Sequence, residues 1–88
     1  MTDDIRPERD VDPVRKQIGK NVRAELVRLG LDQNRLAEIL GVSQPQISKR
    51  LAGSIGFEGA ELVRIAEALD IPVARLVDVA PQTAVAAA

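Results

Sequence analysis

Residues 33–51 read QNRLAEILGVSQPQISKRL, and the fold turns on this stretch. Leu36, Ala37 and Leu40 fall at i, i+1 and i+4, which is one face of a helix. Gly41 supplies a position that takes positive φ and ends that helix. Ser43 follows as an N-cap, its hydroxyl placed to accept from backbone N–H groups of the next turn. Ile47 and Leu51, four apart, give a second helix its buried face, and the small Ala37 lets the two helices approach. What remains outward on the second helix is Gln44, Pro45, Gln46, Ser48, Lys49 and Arg50. That face carries amides and cations and no carboxylate, the chemistry that suits base edges and phosphates.

The rest of the chain supports an all-α reading. It has 88 residues, enough for one small domain, and 45% of them are hydrophobic. Phe57 is the one aromatic residue, so the core is built from Leu, Val, Ile and Ala. Cysteine and histidine are both absent, which removes disulfides, thiolate metal sites and the commonest general base. No apolar run is long enough to span a bilayer, and the N-terminus is acidic, unlike a secretory signal. The expectation is a cytoplasmic protein without cofactor or metal, and no paired carboxylates or nucleophile–base set suggests an enzyme.

Charge is segregated along the chain. Residues 1–13 carry five acids and two bases, residues 14–57 eight bases and three acids, and residues 58–88 five acids and two bases. Net charges of −3, +5 and −3 therefore lie behind the formal total of −1. The positive charge gathers around the helix pair, which fits equally a surface that meets nucleic acid and an ordinary solvated basic face.

In chain order, residues 1–11 are dense in charge, hold Pro7 and lack periodicity, so they read as an acidic tail. Asp12 and Pro13 match an N-cap and first helical position. Ile18, Val22, Leu26 and Leu29 then follow a helical period, closed by Gly30. Leu31 turns inward and Asp32 caps the second helix. After the opening pair, Gly53 ends the third helix, residues 54–56 form a loop, and Phe57 plugs the core. A fourth helix over 58–69 carries Leu62, Val63, Ile65, Ala66 and Leu69 inward, with Glu58 and Glu61 suited to its N-terminus. Pro72 opens a short fifth helix through Val77. The domain spans 12–78, and an Ala-rich tail occupies 79–88.

Five helices with a helix-turn-helix as the second and third resemble a known family. The segments GLDQNRLAEILGVSQPQISKRLAG and LVRIAEALDIPVARLV are similar to the lambda-repressor-like DNA-binding domains of phage Cro proteins and Xre-type regulators. The resemblance covers about two-thirds of the chain, and Gln33, Ala37, Gly41, Val42, Ser43 and Ile47 all stand where the pattern wants them. It implies a compact five-helix domain that binds double-stranded DNA. Gln33 and Ser43 match phosphate-binding positions, with Gln33 placed to brace Gln44. Gln44, Pro45, Gln46 and Lys49 match positions that reach base edges, where glutamine grips adenine, lysine favours guanine and proline offers apolar contact. Arg35, early in the second helix, and Arg50 are further phosphate candidates.

Three departures from the pattern carry expectations of their own. The positions where the family pairs an Arg with a Glu are here Leu26 and Leu51, which predicts an apolar contact. Arg50 stands where an apolar residue is usual, so it is expected to swing outward while Leu51 fills the core. The loop over 54–59 has no cation, leaving its backbone N–H groups for phosphate. The leading reading is a homodimeric transcriptional regulator, a Cro-like or minimal phage-type repressor on a near-palindromic operator, with Val73, Leu76, Val77 and Val79 as the dimer surface. The alternative is an antitoxin or adaptor that uses the same fold to bind a protein.

Overall fold

The computed structural model describes residues 12–79, which form α1 (Pro13–Arg28), α2 (Gln33–Leu40), α3 (Gln44–Ala52) and α4 (Gly59–Leu69), followed by a 3-10 turn at Val73–Arg75. The acidic tail expected over 1–11 lies outside the described residues, as does the Ala-rich tail expected over 79–88 apart from Val79.

Each helix begins at the capping residue that the sequence marks. The Asp12 carboxylate accepts from the Val14 N–H at 2.8 Å, with Pro13 at the first helical position where no donor is needed. Asp32 accepts from the Arg35 N–H at 3.2 Å, and Ser43 Oγ from the Gln46 N–H at 3.4 Å. Glu58 precedes α4, and its N–H donates to Glu61 Oε1 at 3.0 Å in a capping-box arrangement. The turn between α2 and α3 depends on Gly41, whose φ of 68° is strained for any residue with a Cβ.

The core joins Val22 and Leu26 of α1, Leu36 of α2, Ile47 and Leu51 of α3, and Leu62, Ile65, Ala66 and Leu69 of α4 to Leu76. Leu26 and Leu51 are both buried there, as the apolar replacement of an ion pair predicts. Ile18, Leu31, Ala37, Leu40 and Phe57 are half-buried against this cluster. Two apolar residues assigned inward differ. Leu29 is the α1 C-cap and faces solvent, and Val63 lies on the outer face of α4. In the opposite sense, Leu76, expected on a dimer surface, is fully buried.

The fifth helix is not formed. Hydrogen bonds from Arg75 N–H to Pro72 O (3.0 Å) and Leu76 N–H to Val73 O (2.9 Å) close 3-10 rings over one short turn. The chain is then captured by α1: Asn21 Nδ2 donates to the carbonyls of Leu76 and Asp78, each at 3.0 Å. These bonds, with the burial of Leu76, hold the segment against α1 and the core. A second tie comes from Arg75, which lies 3.3 Å from the buried Glu25 carboxylate; Arg28 pairs with the same group at 2.8 Å.

Two glycines set the approach of α1 to α3. A Cβ on Gly19 would lie 2.2 Å from the Leu51 carbonyl oxygen, and one on Gly53 would lie 2.7 Å from Lys16 Cα. The far end of α3 is therefore pressed backbone to backbone against α1. Nothing in hydrophobic periodicity marks Gly19, because the signal is a missing side chain. Among the described residues no helix is long and apolar enough to cross a membrane.

Candidate nucleic-acid interface

The buried positions of α3 are Ile47 and Leu51, four residues apart. Helical geometry then puts Pro45 and Lys49 on its opposite side and Ser48 on its flank, while Gln44 lies at the open N-terminal turn; all of them are exposed, as are Ser43 and Gln46. Pro45 costs α3 nothing at its second position, where the backbone has no intrahelical acceptor. The exposed face thus offers amide, hydroxyl and ammonium groups within two helical turns, and no carboxylate. Of the residues that sequence reasoning assigned to bases, Gln44, Pro45, Gln46 and Lys49, the fold places all four at exposed positions of one helix.

Gln33 stands at the start of α2 and is half-buried. The expected brace to Gln44 is replaced by another: Gln33 Oε1 accepts from Ser48 Oγ at 3.2 Å. This bond ties the N-terminus of α2 to the middle of α3. Arg35 is exposed beside it and lies 3.2 Å from Glu38 across one helical turn. A pair this solvated contributes about 0–1 kcal/mol and leaves the guanidinium available to a phosphate.

Arg50 does not swing outward. Its Nε and Nη2 donate to Glu61 Oε1 and Oε2 at 3.0 and 3.1 Å, a two-bond fork between the end of α3 and the start of α4. Its side chain is 13% exposed and that of Glu61 10%, so the pair is largely removed from solvent. Nη1 reaches back to Gln46, donating to its backbone carbonyl at 3.2 Å and its side-chain Oε1 at 3.1 Å. Burial pushes the Glu61 carboxyl up. The hydrogen bonds from Arg50 and the Glu58 N–H, with the charges of Arg50 and Arg64, outweigh that effect and hold it below the usual glutamate range. Glu61 is the partner that sequence reasoning missed. It was read as a helix-dipole acid, and only the fold brings α4 to Arg50.

In the loop after α3, part of the donor set expected to face phosphate is already used. The Ser54 and Ile55 N–H groups both donate to the Lys49 carbonyl, at 3.0 and 3.4 Å, and the Glu58 N–H is used by Glu61. These donors close the end of α3 and the start of α4 and are not free for a phosphate. On the expected dimer surface, Val73 and Val77 are exposed and Val79 is half-buried, whereas Leu76 belongs to the core. Val63, Ile71, Pro72 and Val73 line an open groove of about 480 Å³ between α4 and the 3-10 turn.

A family model described as helix-turn-helix matches residues 22–76, well over half of the chain. No curated protein matches. Among solved structures, the chain is similar to the crystal structure of a hypothetical transcription factor, NHTF, from Neisseria. The TM-score is 0.66 and the identity 22%, over 88% of this chain and 90% of that one.

Proposed function

Because the chain belongs to the lambda-repressor-like, Xre-type helix-turn-helix family of DNA-binding domains, we propose that it is a sequence-specific transcriptional regulator that binds double-stranded DNA as a homodimer. The observation that carries this reading is the α3 face. Gln44, Pro45, Gln46 and Lys49 stand exposed together on a helix whose other side is locked into the core. In this reading α3 lies in the major groove, Gln44, Gln46 and Lys49 reach base edges, and Gln33, Ser43 and Arg35 hold register on phosphates. Two copies of α3 about 34 Å apart would meet successive major grooves of a near-palindromic operator, and occupancy would block transcription in the manner of a Cro-like repressor. The exposed Val73 and Val77, with Val63, are the apolar residues offered to the second copy.

The test is selection of bound sequences from a random duplex library, followed by binding of Gln44→Ala and Lys49→Ala. Each substitution is expected to weaken operator binding by about 1–3 kcal/mol and to relax preference at one position per half-site, with helical content and melting unchanged. Variants that bind DNA like the parent would remove α3 as the reader. An antitoxin or adaptor role is favoured by a different observation, the apolar groove beside Val63 and Val73 with Glu67 and Asp70 among its lining residues. Under that reading, Val73→Glu abolishes the function and the α3 variants leave it intact.

A further inference from the structure

We propose that Arg50 is a positioning residue that turns Gln46 into a donor-only reader, so that its position in the operator favours guanine over adenine. The inference rests on the reading of α3 as the DNA-contacting helix and specifies what one side chain of that helix recognises.

Donor chemistry fixes which atom of Gln46 faces Arg50. A guanidinium has five N–H donors and no acceptor. The amide group 3.1 Å from Arg50 Nη1 must therefore present its oxygen, and the amide orientation is fixed by chemistry. Arg50 is itself bonded at all three of its nitrogens. Two of its nitrogens are held by the Glu61 carboxylate, and Nη1 also bonds the Gln46 carbonyl one turn back. The result is a relay from α4 to the exposed face: the Glu58 N–H holds Glu61, Glu61 holds Arg50, and Arg50 holds the oxygen of Gln46.

With its oxygen drawn back toward the largely buried Arg50, Gln46 presents its NH2 group to the outside. A grip on adenine needs both ends of the amide at the front, the NH2 donating to N7 and the oxygen accepting from the N6 amino group. Guanine offers N7 and O6, two acceptors side by side, and is satisfied by the NH2 group alone. Gln44 has no such tie on this helix and remains free to make the two-ended contact. Two glutamines on one helix thus acquire different preferences from their surroundings, and Arg50, which touches no base, sets the difference.

The decisive comparison is Arg50→Met with Glu61→Gln against Glu61→Gln alone, both in the full chain. The double variant removes the donor and both charges together, leaving no lone buried charge, and Gln at position 61 still accepts from the Glu58 N–H. In the free protein, the Gln46 side-chain NH2 order parameter measured by NMR relaxation is expected to exceed that of Gln44 in the parent and in Glu61→Gln. It should fall to the Gln44 value in the double variant. In selection from random duplexes, the position lost in Gln46→Ala is expected to favour guanine over adenine by roughly tenfold in the parent. Glu61→Gln should keep that preference and the double variant lose it, with the positions read by Gln44 and Lys49 unchanged. An adenine preference at the Gln46 position in the parent overturns the proposal, as does a preference untouched in the double variant or a Gln46 amide as mobile as Gln44. If no duplex sequence is selected, DNA reading by α3 falls and the guanine preference with it; if Gln46→Ala alters no position while Gln44→Ala or Lys49→Ala does, the guanine preference alone is overturned. The NMR comparison still judges the tie between Arg50 and Gln46 by itself.

Discussion

At the scale of single residues, Gly19 shows how a missing atom can position a surface far from it. A Cβ there would meet the Leu51 carbonyl carbon at 2.8 Å and its oxygen at 2.2 Å, and the Arg50 carbonyl oxygen at 3.1 Å. These are backbone atoms, so no change of rotamer relieves the clash, and α1 must retreat from α3. Gly19→Ala gains about 1 kcal/mol of helix propensity and loses about 1–3 kcal/mol or more to overpacking. The expected outcome is a net fall in stability, seen as a lower urea midpoint. Gly59→Ala is the control. Gly59 also lies in a helix, but a Cβ there has nothing within 4 Å and its φ is not in the left-handed region. Its midpoint is expected to hold or rise. The two glycines look equally ordinary in the sequence, and only the neighbouring helix separates them.

At the scale of elements, the joint between α3 and α4 is ionic, and its acid response has a definite sign. The Glu61 carboxyl titrates below the usual glutamate value when folded, so the chain binds that proton more weakly folded than unfolded. Its contribution is fully present above about pH 4.3, the ordinary value, and is lost as pH falls through the depressed folded value. The stability difference between the parent and Glu61→Gln, measured by urea unfolding, should be constant from pH 7 to 5 and shrink below pH 4. A difference that stays level to pH 3 would mean that the Arg50 pairing does not hold the carboxylate ionised. The helices themselves were legible because their signals are local: Asp12, Asp32, Ser43 and Gly41 mark ends, and Leu36, Ile47 and Leu51 mark one face. The exposed face of α3 followed by subtraction. The joint was not legible, because Arg50 and Glu61 are eleven residues apart on different helices and their meeting depends on how α4 packs. The same limit explains the fifth helix. Pro72 and the apolar residues after it fit a helix start, but the Asn21 amide lies 55 residues from the Leu76 carbonyl that it captures.

At the scale of the whole molecule, segregated charge and the inward turn of Arg50 together set the response of DNA binding to salt. Of the eight bases in residues 14–57, Arg50 is neutralised within the protein by Glu61, and Arg28 by the buried Glu25. On the reading surface, Lys49 and Arg35 remain for the duplex. Two cations per protomer, Arg35 at the backbone and Lys49 in the groove, would displace counterions equivalent to about four phosphates in a dimer. At a slope of about −0.9 for each, log K should fall with log salt at a slope near −4. An outward Arg50 would add one cation per protomer and steepen the slope to about −5. Titrations of the selected duplex between 50 and 300 mM salt, by fluorescence anisotropy, separate the two. Lys49→Gln is expected to reduce the parent slope by about 2 per dimer, because it removes a cation that meets DNA. Arg50→Met with Glu61→Gln should leave the slope unchanged, because the pair it removes carries no net charge toward the duplex. If that double variant instead flattens the slope by as much as Lys49→Gln, then Arg50 leaves Glu61 for a phosphate when DNA arrives, and the joint between α3 and α4 opens on binding.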